Sequence, residues 1–368
     1  MDFTFTDDQR QLRDALRGYL ARNNGFSART ASARSAPGWS ESLWRGLADD
    51  LGILGVLVAD AAGGAGGDTV DMMVVMEELG ANLLVEPYLE TAVIGASALG
   101  AAGGREAELK AIASGSMRVA FAWAEAETRF DRMPHDSVAS RTATGWRLDG
   151  AKAVVIAAPI ATHFLVTARV DDGPALFLVE AGMAGISLTA FPTIDGRRAA
   201  DMSFDAVAMP ESALVAGGAE AIERLCDIAT AMLGAEALGV MRVMLDDTIA
   251  FTRERRQFGQ AIATFQVLQH RMVDMYMQLE LATSAVYRAV LSLDAAPAER
   301  ARAVSAMKVT VAGACRFIGQ NAIQLHGGMG MTDEVAVTHY FRRATVIESE
   351  FGSADWHRRR FASLSRAA

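Results

Sequence analysis

Two stretches in the second half of the chain carry residue types suited to holding a phosphate-bearing ligand. The first runs Arg253-Glu254-Arg255-Arg256-Gln257-Phe258-Gly259-Gln260 and continues from Phe265-Gln266 to Asp274-Met275. A guanidinium there can grip a phosphate or pyrophosphate through charge-assisted hydrogen bonds, and an aromatic neighbour can cover a flat ring. A basic helix end with no ligand has the same appearance, because cations favour helix C-termini. The second stretch is Gln324-Leu325-His326-Gly327-Gly328-Met329-Gly330. Its glycines let another backbone, or a phosphate, come close. A helix C-cap followed by a turn is the competing reading.

These stretches must be positioned by something, and the pattern of the chain indicates what. Residues 1–117 read as helical, with Thr6 as an N-cap before Asp7-Asp8 and Leu12, Leu16 and Leu20 at helical spacing. Ala61 to Gly67 reads as a flexible loop, and Asp71 to Leu84 as a Met-rich buried helix. Residues 118–213 change character: short runs rich in Val, Phe and Thr (Arg118–Ala124, Gly145–Leu148, Ala153–Ile156, His163–Arg169, Ala175–Glu180 and Ala200–Ala206) predict strands, with turns at Asp149-Gly150 and Asp171-Asp172-Gly173. Residues 214–368 are helical again. One helix is expected to end near Phe258-Gly259 and the next to restart at the N-cap Thr264, with a break at Pro297. Helices, then strands, then helices argue for an α+β fold in three domains and against a βαβ nucleotide fold. No G-x-G-x-x-G follows a strand, so a Rossmann site is not expected.

Composition narrows the function. The 368 residues carry a net charge of −9, which disfavours nucleic acid as a partner. Hydrophobic residues make up 51%, and the mean hydropathy is +0.18. That surplus fits buried subunit interfaces, and no uninterrupted apolar run suggests a membrane span. Cys226 and Cys315 match no metal-ligand spacing, and His326 and His357 lack spaced partners, so no metal site is expected. The acidic N-terminus lacks the core of a signal peptide, and a reduced cytoplasmic compartment is the default. The eighteen methionines read as bundle core.

Taken together, the two glycine-bearing stretches resemble the acyl-CoA dehydrogenase family. Arg255 to Gly259 matches its R-x-x-F-G motif, Phe265 to Met275 its F-Q-x-x-x-x-x-x-A-D-M motif with Val273 in the Ala place, and Gln324 to Gly330 its Q-x-x-G-G-x-G motif. Weaker matches at Met76–Gly80, Leu148–Lys152 and Phe204–Pro210 extend the likeness along the chain. Within the family the likeness is nearest to the small-subunit type known for pimeloyl-CoA. The resemblance implies a helical N-terminal domain, a middle β-domain and a C-terminal four-helix bundle. It implies FAD as cofactor, an acyl-CoA substrate, an electron-transfer flavoprotein or similar acceptor, and a homo-oligomer or a hetero-oligomer with a related subunit. It would put Arg255 and Phe258 against FAD across a subunit interface. Gln324, Gly327 and Gly328 would lie near the pyrophosphate and adenine, and Ser353 in the turn beside the flavin.

In the family a carboxylate removes the α-proton while the β-hydride passes to the flavin. The glutamate that does so stands before Gly-Thr; here Phe351 holds its place ahead of Gly352-Ser353. Some members carry the base on the helix before R-x-x-F-G, but that register falls on Ala229, followed by Thr230. Glu223-Arg224 lies six residues upstream. Glu236, on the same helix face among Met232, Leu233 and Val240, is the remaining candidate base. The alternative is that Glu236 is structural and pairs with an arginine of another helix. The family's Thr-Glu-Pro-Gly over the flavin is replaced by Trp123-Ala124-Glu125-Ala126-Glu127, and its Trp-x-Thr by Val154-Val155-Ile156. Three readings therefore stand: a dehydrogenase subunit acting with a partner, a non-catalytic subunit completing another chain's FAD site, or a flavoprotein of this fold with a different task, such as nitroalkane oxidation or a DNA-associated role that the acidic charge disfavours.

Overall fold

A computed structural model describes residues 4–171 and 173–366; the expected turn at Asp171-Asp172-Gly173 includes Asp172, which lies outside them. The chain divides into two compact units, one of Met1–Arg29, Met73–Leu84 and Thr230–Ala368, the other of Thr30–Met72 and Val85–Ala229.

The second unit is built on a sheet and also carries helices α3 (Glu41–Asp49), α5 (Ala96–Ala102) and α6 (Glu106–Ala113). Its strands are β1 (Val119–Ala122), β2 (Val138–Thr142), β3 (Gly145–Ile156), β4 (His163–Val170), β5 (Gly173–Glu180), β6 (Ile186–Pro192), β7 (Arg198–Pro210) and β8 (Leu214–Gly217). They lie in the order β6-β7-β3-β2-β4-β5-β8, and β1 adds parallel to β4. Alternate residues of β7 turn inward, with Met202, Phe204 and Val207 meeting Trp146, Phe164 and Phe177 in the core. Asp149-Gly150 is not a turn. β3 runs straight through it as a bulge, where the pairing with β7 shifts register. Gly150 is required there: its φ is 140°, and a Cβ would meet Ser137 Cα at 2.6 Å. Strands β2, β6 and β8 were not expected: β2 (VASRT) is largely polar, β8 is only four residues long, and the alternation of Ile186, Leu188 and Ala190 in β6 was overlooked. The glycine-rich segment 61–67 is pinned rather than flexible, because the amides of Ala65, Gly66 and Gly67 donate to the carbonyls of Gly55, Val58 and Val56.

A buried ion pair ties this sheet to the segment after β1. The Lys152 ammonium of β3 donates to Glu125 Oε1 at 2.8 Å and to Thr167 Oγ1 at 3.0 Å. Glu125 also accepts from the amides of His135, Asp136 and Ser137. Burial alone would raise the Glu125 carboxyl; the Lys152 bond and these amides overcome it and hold the group at about 2, below the ordinary 4.5. A carboxyl lower in the folded than in the unfolded chain stabilises above the ordinary value and ceases to do so as pH falls through the folded one. Thermal midpoints between about pH 5 and about pH 2.5 should therefore fall more steeply for the wild type than for Glu125→Gln. Parallel slopes would remove Glu125 from the acid response.

The first unit is helical. Helix α1 (Asp7–Asn23) opens on the expected cap: Thr6 Oγ1 accepts from Gln9, whose side chain accepts from the Thr6 amide. Two other helices cross in this unit, α4 (Thr69–Ala81) in its later part and α7 (Ala219–Glu254) beyond Thr230. The crossing is backbone to backbone: a Cβ on Gly80 would meet the Glu236 carbonyl at 2.0 Å, and one on Gly239 the Glu77 carbonyl at 1.9 Å. Glu77 and Glu78 pair with Arg13 and Arg17 of α1. The Met76–Gly80 motif is thus explained by packing. Helix α7 is long and apolar enough to cross a membrane by length and composition, but 89% of its apolar window is buried within the protein, as in a core helix. Helices α8 (Gln266–Leu291), α9 (Pro297–His326), α10 (Ala336–Ile347) and α11 (Ala354–Arg366) complete the unit. Pro297 is the first residue of α9, where a missing N–H costs nothing. Thr264 does not cap α8; its hydroxyl donates to Ala261 O, and Phe265 stands at the N-cap.

Candidate active site

The corner between α7 and α8 is a tight hairpin rather than a helix end reaching Phe258. Helix α7 stops at Glu254, and β9 (Arg256–Gln257) pairs antiparallel with β10 (Gln260–Ala261). The two residues between them, Phe258 and Gly259, have φ of 53° and 82°, the left-handed pair that a two-residue hairpin demands. A phenylalanine at positive φ is costly. The hairpin holds it out in solvent, 91% exposed. Arg255 is exposed as well, and among the described residues its guanidinium makes no hydrogen bond.

The end of α9 has the same openness. Gly327, at φ 62°, closes the helix by donating to Gln324 O. Gln324, Gly327 and Gly328 are exposed, and a Cβ on either glycine would meet nothing within 4 Å. Gly330 differs, being packed against the Ile323 carbonyl. The two motifs share one end of the bundle: the Phe251 ring, in the last turn of α7, stacks on His326 with centroids 4.4 Å apart. Arg271 of α8 also reaches Asn321 of α9. An unengaged guanidinium, an exposed aromatic ring and exposed glycine backbone thus lie at one end, a donor set that fits the pyrophosphate and adenosine of a dinucleotide. Ser353 is placed differently. Its hydroxyl accepts from the Trp356 amide at 3.3 Å and caps α11.

Glu236 is engaged on both oxygens. Arg343 of α10 donates Nε to Oε1 at 2.6 Å and Nη2 to Oε2 at 2.8 Å. The same guanidinium gives Nη1 to Glu350 Oε2 at 3.0 Å. All three groups are nearly buried. Both oxygens of this carboxylate are therefore occupied by the arms of one guanidinium fork.

The turn at Phe351 is locked as tightly. Phe351 is buried at φ 58°, and its carbonyl accepts from His357 Nε2 at 3.1 Å. The ammonium of Lys308 donates to the carbonyls of Ile347 and Glu350. Burial pulls that lysine down to about 8 against the opposing charge of Glu350. Glu348 is taken by Arg316. Every carboxylate beside the expected base position therefore has a cation.

Nearer the start of α7 the same holds. Arg132, 2% exposed, donates to Glu223 Oε2 at 2.6 Å and to Asp227 Oδ1 at 2.8 Å. Burial would lower its pKa, but these charges and Cys226 raise it. Asp227, fully buried, and Glu223 lie two and six residues before Ala229. No group of three or more His, Cys, Asp or Glu suited to a metal exists among the described residues.

Residues 6–115, 120–207 and 216–364 match the N-terminal, middle and C-terminal domains of the acyl-CoA dehydrogenases. A solved structure of a Tcur3481–Tcur3483 steroid ACAD variant is 31% identical, covers 98% of each chain, and superposes with a TM-score of 0.89. The chain belongs to the acyl-CoA dehydrogenase family.

Other members agree with that assignment. The ChsE4–ChsE5 complex from Mycobacterium tuberculosis is 26% identical over all of both chains, with a TM-score of 0.93. Acyl-CoA dehydrogenase FadE27 from the same organism is 29% identical over 341 residues, 88% of this chain and 87% of its own. Against the family pattern the β-domain of this chain is poor in donors. Val154 is 54% exposed at φ 52°, and its amide is bonded to Asp201. Val155 and Ile156 carry no hydroxyl, and neither does Ala124. The exposed guanidinium, ring and glycine backbone of the bundle end are chemically compatible with a dinucleotide, whereas residues 154–156 of β3 offer no hydroxyl.

Several site-shaping residues escaped the sequence reading: Lys152, Arg132, Lys308 and Arg343. Lys152 had a usable signal, a lysine at an inward position of an alternating strand. Arg132 had none, since its carboxylates lie far along the chain.

Proposed function

We propose that this chain is a subunit of an FAD-dependent acyl-CoA dehydrogenase that works in a hetero-oligomer with a related chain, of the small-subunit type. The observation that carries this is Glu236 gripped by Arg343 while Phe351 stands in the place of the base. The chain's role is to present the end of its bundle to the partner's cofactor. Arg255 would neutralise the pyrophosphate, Phe258 would cover a ring edge, and Gln324 with the backbone of Gly327 and Gly328 would border the adenosine. Glu236 is assigned a structural role in place of general base, and Ser353 that of a helix cap. When bound, FAD supplies the hydride acceptor for α,β-dehydrogenation of the thioester. The carboxylate that takes the α-proton is the partner's. The three-domain division at 117/118 and 213/214, an electron-transfer flavoprotein as acceptor, and a cytoplasmic location belong to the same reading. Names such as ChsE4–ChsE5 and steroid ACAD among the relatives support a two-chain assembly.

Co-expression with candidate related chains tests it. Yellow flavin should co-purify with the pair at fewer than one FAD per chain of this subunit plus partner, and the chain alone should hold little. Stoichiometric flavin on the isolated chain would overturn the assignment.

A further inference from the structure

In the sheet unit a cleft of 620 Å³ opens between the segment after α2 (Phe26–Arg34), the start of β1, the residues after β3, the end of β6 and the start of β7. Its walls include Trp39, Phe191, Pro37 and Pro159, and its cations are Arg118 and Arg198. No carboxylate lines it. The volume is that of an ordinary small-ligand site.

The cleft is built around its two guanidiniums. Arg198 Nη2 donates to Ser35 O at 2.7 Å. Gly38, at φ 74°, passes so close that a Cβ there would lie 2.5 Å from Arg198 Nε. Arg118 Nε donates to Ile160 O at 2.8 Å, and its guanidinium lies over the Trp39 ring at 4.9 Å. Each guanidinium is thus anchored by one bond to a backbone carbonyl, and its other N–H groups make no hydrogen bond among the described residues. Neither has a carboxylate in contact. The acid whose charge acts on Arg118, Glu41, is itself paired with Arg45 at 2.9 Å. Burial of Arg118 accordingly lowers its pKa, with only Glu41 opposing. Two anchored, half-buried cations without counter-ions, beside aromatic and proline walls, are complementary to a carboxylate or phosphate carried on a flat apolar body.

We propose that this cleft, which shares no residue with the bundle-end FAD contacts, binds a small organic anion of that kind. Calorimetric titration of the full chain, isolated with its partner and flavin, tests it with naphthoate, naphthyl phosphate and neutral naphthol. At least one anion should bind with a Kd of about 1 mM or tighter, and naphthol roughly tenfold more weakly. Arg118→Gln should weaken the anion about tenfold or more while leaving flavin content unchanged and lowering the thermal midpoint by only about a few degrees, the worth of its bond to Ile160. Arg198→Gln should do the same, and if it unfolds, Trp39→Leu, which removes the ring face, provides the second variant. Naphthol binding as tightly as the anions, anions binding Arg118→Gln as well as wild type, or no heat from either anion would each overturn the proposal.

Discussion

Replacing Arg343 by alanine is expected to destabilise the chain by about 3–5 kcal/mol, because it removes the bidentate cation from the nearly buried Glu236 carboxylate and one donor from Glu350. Denaturant unfolding measures it. The physical cause is desolvation: a paired ion in the interior breaks roughly even, whereas an unpaired one keeps the whole penalty. The paired double variant Glu236→Leu with Arg343→Met should therefore recover much of the loss, ending within about 2 kcal/mol of wild type. Equal destabilisation of the single and double variants would mean that the pair matters for packing and not for charge. The backbone crossing at Gly80 and Gly239 makes this site sensitive. The Glu236 carbonyl sits against α4 while its side chain reaches α10, so a shift of either transmits to the other.

The second expected effect is on flavin retention. Arg255→Ala in the assembled oligomer should raise the FAD dissociation constant by roughly tenfold or more, the worth of a charge-assisted contact to phosphate. It should leave the thermal midpoint unchanged, since the Arg255 guanidinium is exposed and makes no hydrogen bond among the described residues. Flavin absorbance after dialysis against a dilution series reads the first, and thermal unfolding the second. Phe258→Gly should separate cover from charge: it relieves the positive φ of Phe258, so any loss of flavin comes from the missing ring. Retention of flavin in both variants would show that the bundle end does not face a cofactor.

The two flavin-side motifs were readable because they are local. R-x-x-F-G and Q-x-x-G-G-x-G are short, and the segregation of helices and strands follows from periodicity. What local reading missed was set by contacts distant in sequence. Asp149-Gly150 has the composition of a turn, and only the neighbouring strand β7 and Ser137 make it a bulge in β3. The hairpin at Phe258 escaped notice because phenylalanine is an improbable left-handed residue. For Glu236 the sequence supplied a carboxylate on an apolar helix face and left two roles open. Its arginine is 107 residues away, and no spacing rule connects them. The absence of a glutamate at Phe351 was visible at once. That the neighbouring Glu348 and Glu350 are engaged by Arg316 and Arg343 was not.

The most direct test of the account is acyl-CoA-dependent bleaching of the flavin, recorded anaerobically on the two-chain complex carrying Glu236→Gln, across a panel of thioesters. The account predicts flavin content and a bleaching rate within about threefold of the wild-type complex. It also predicts that mutating the partner's base abolishes bleaching. A loss of about a hundredfold or more in Glu236→Gln with flavin retained, the scale of a missing general base, would contradict it and return Glu236 to the chemistry.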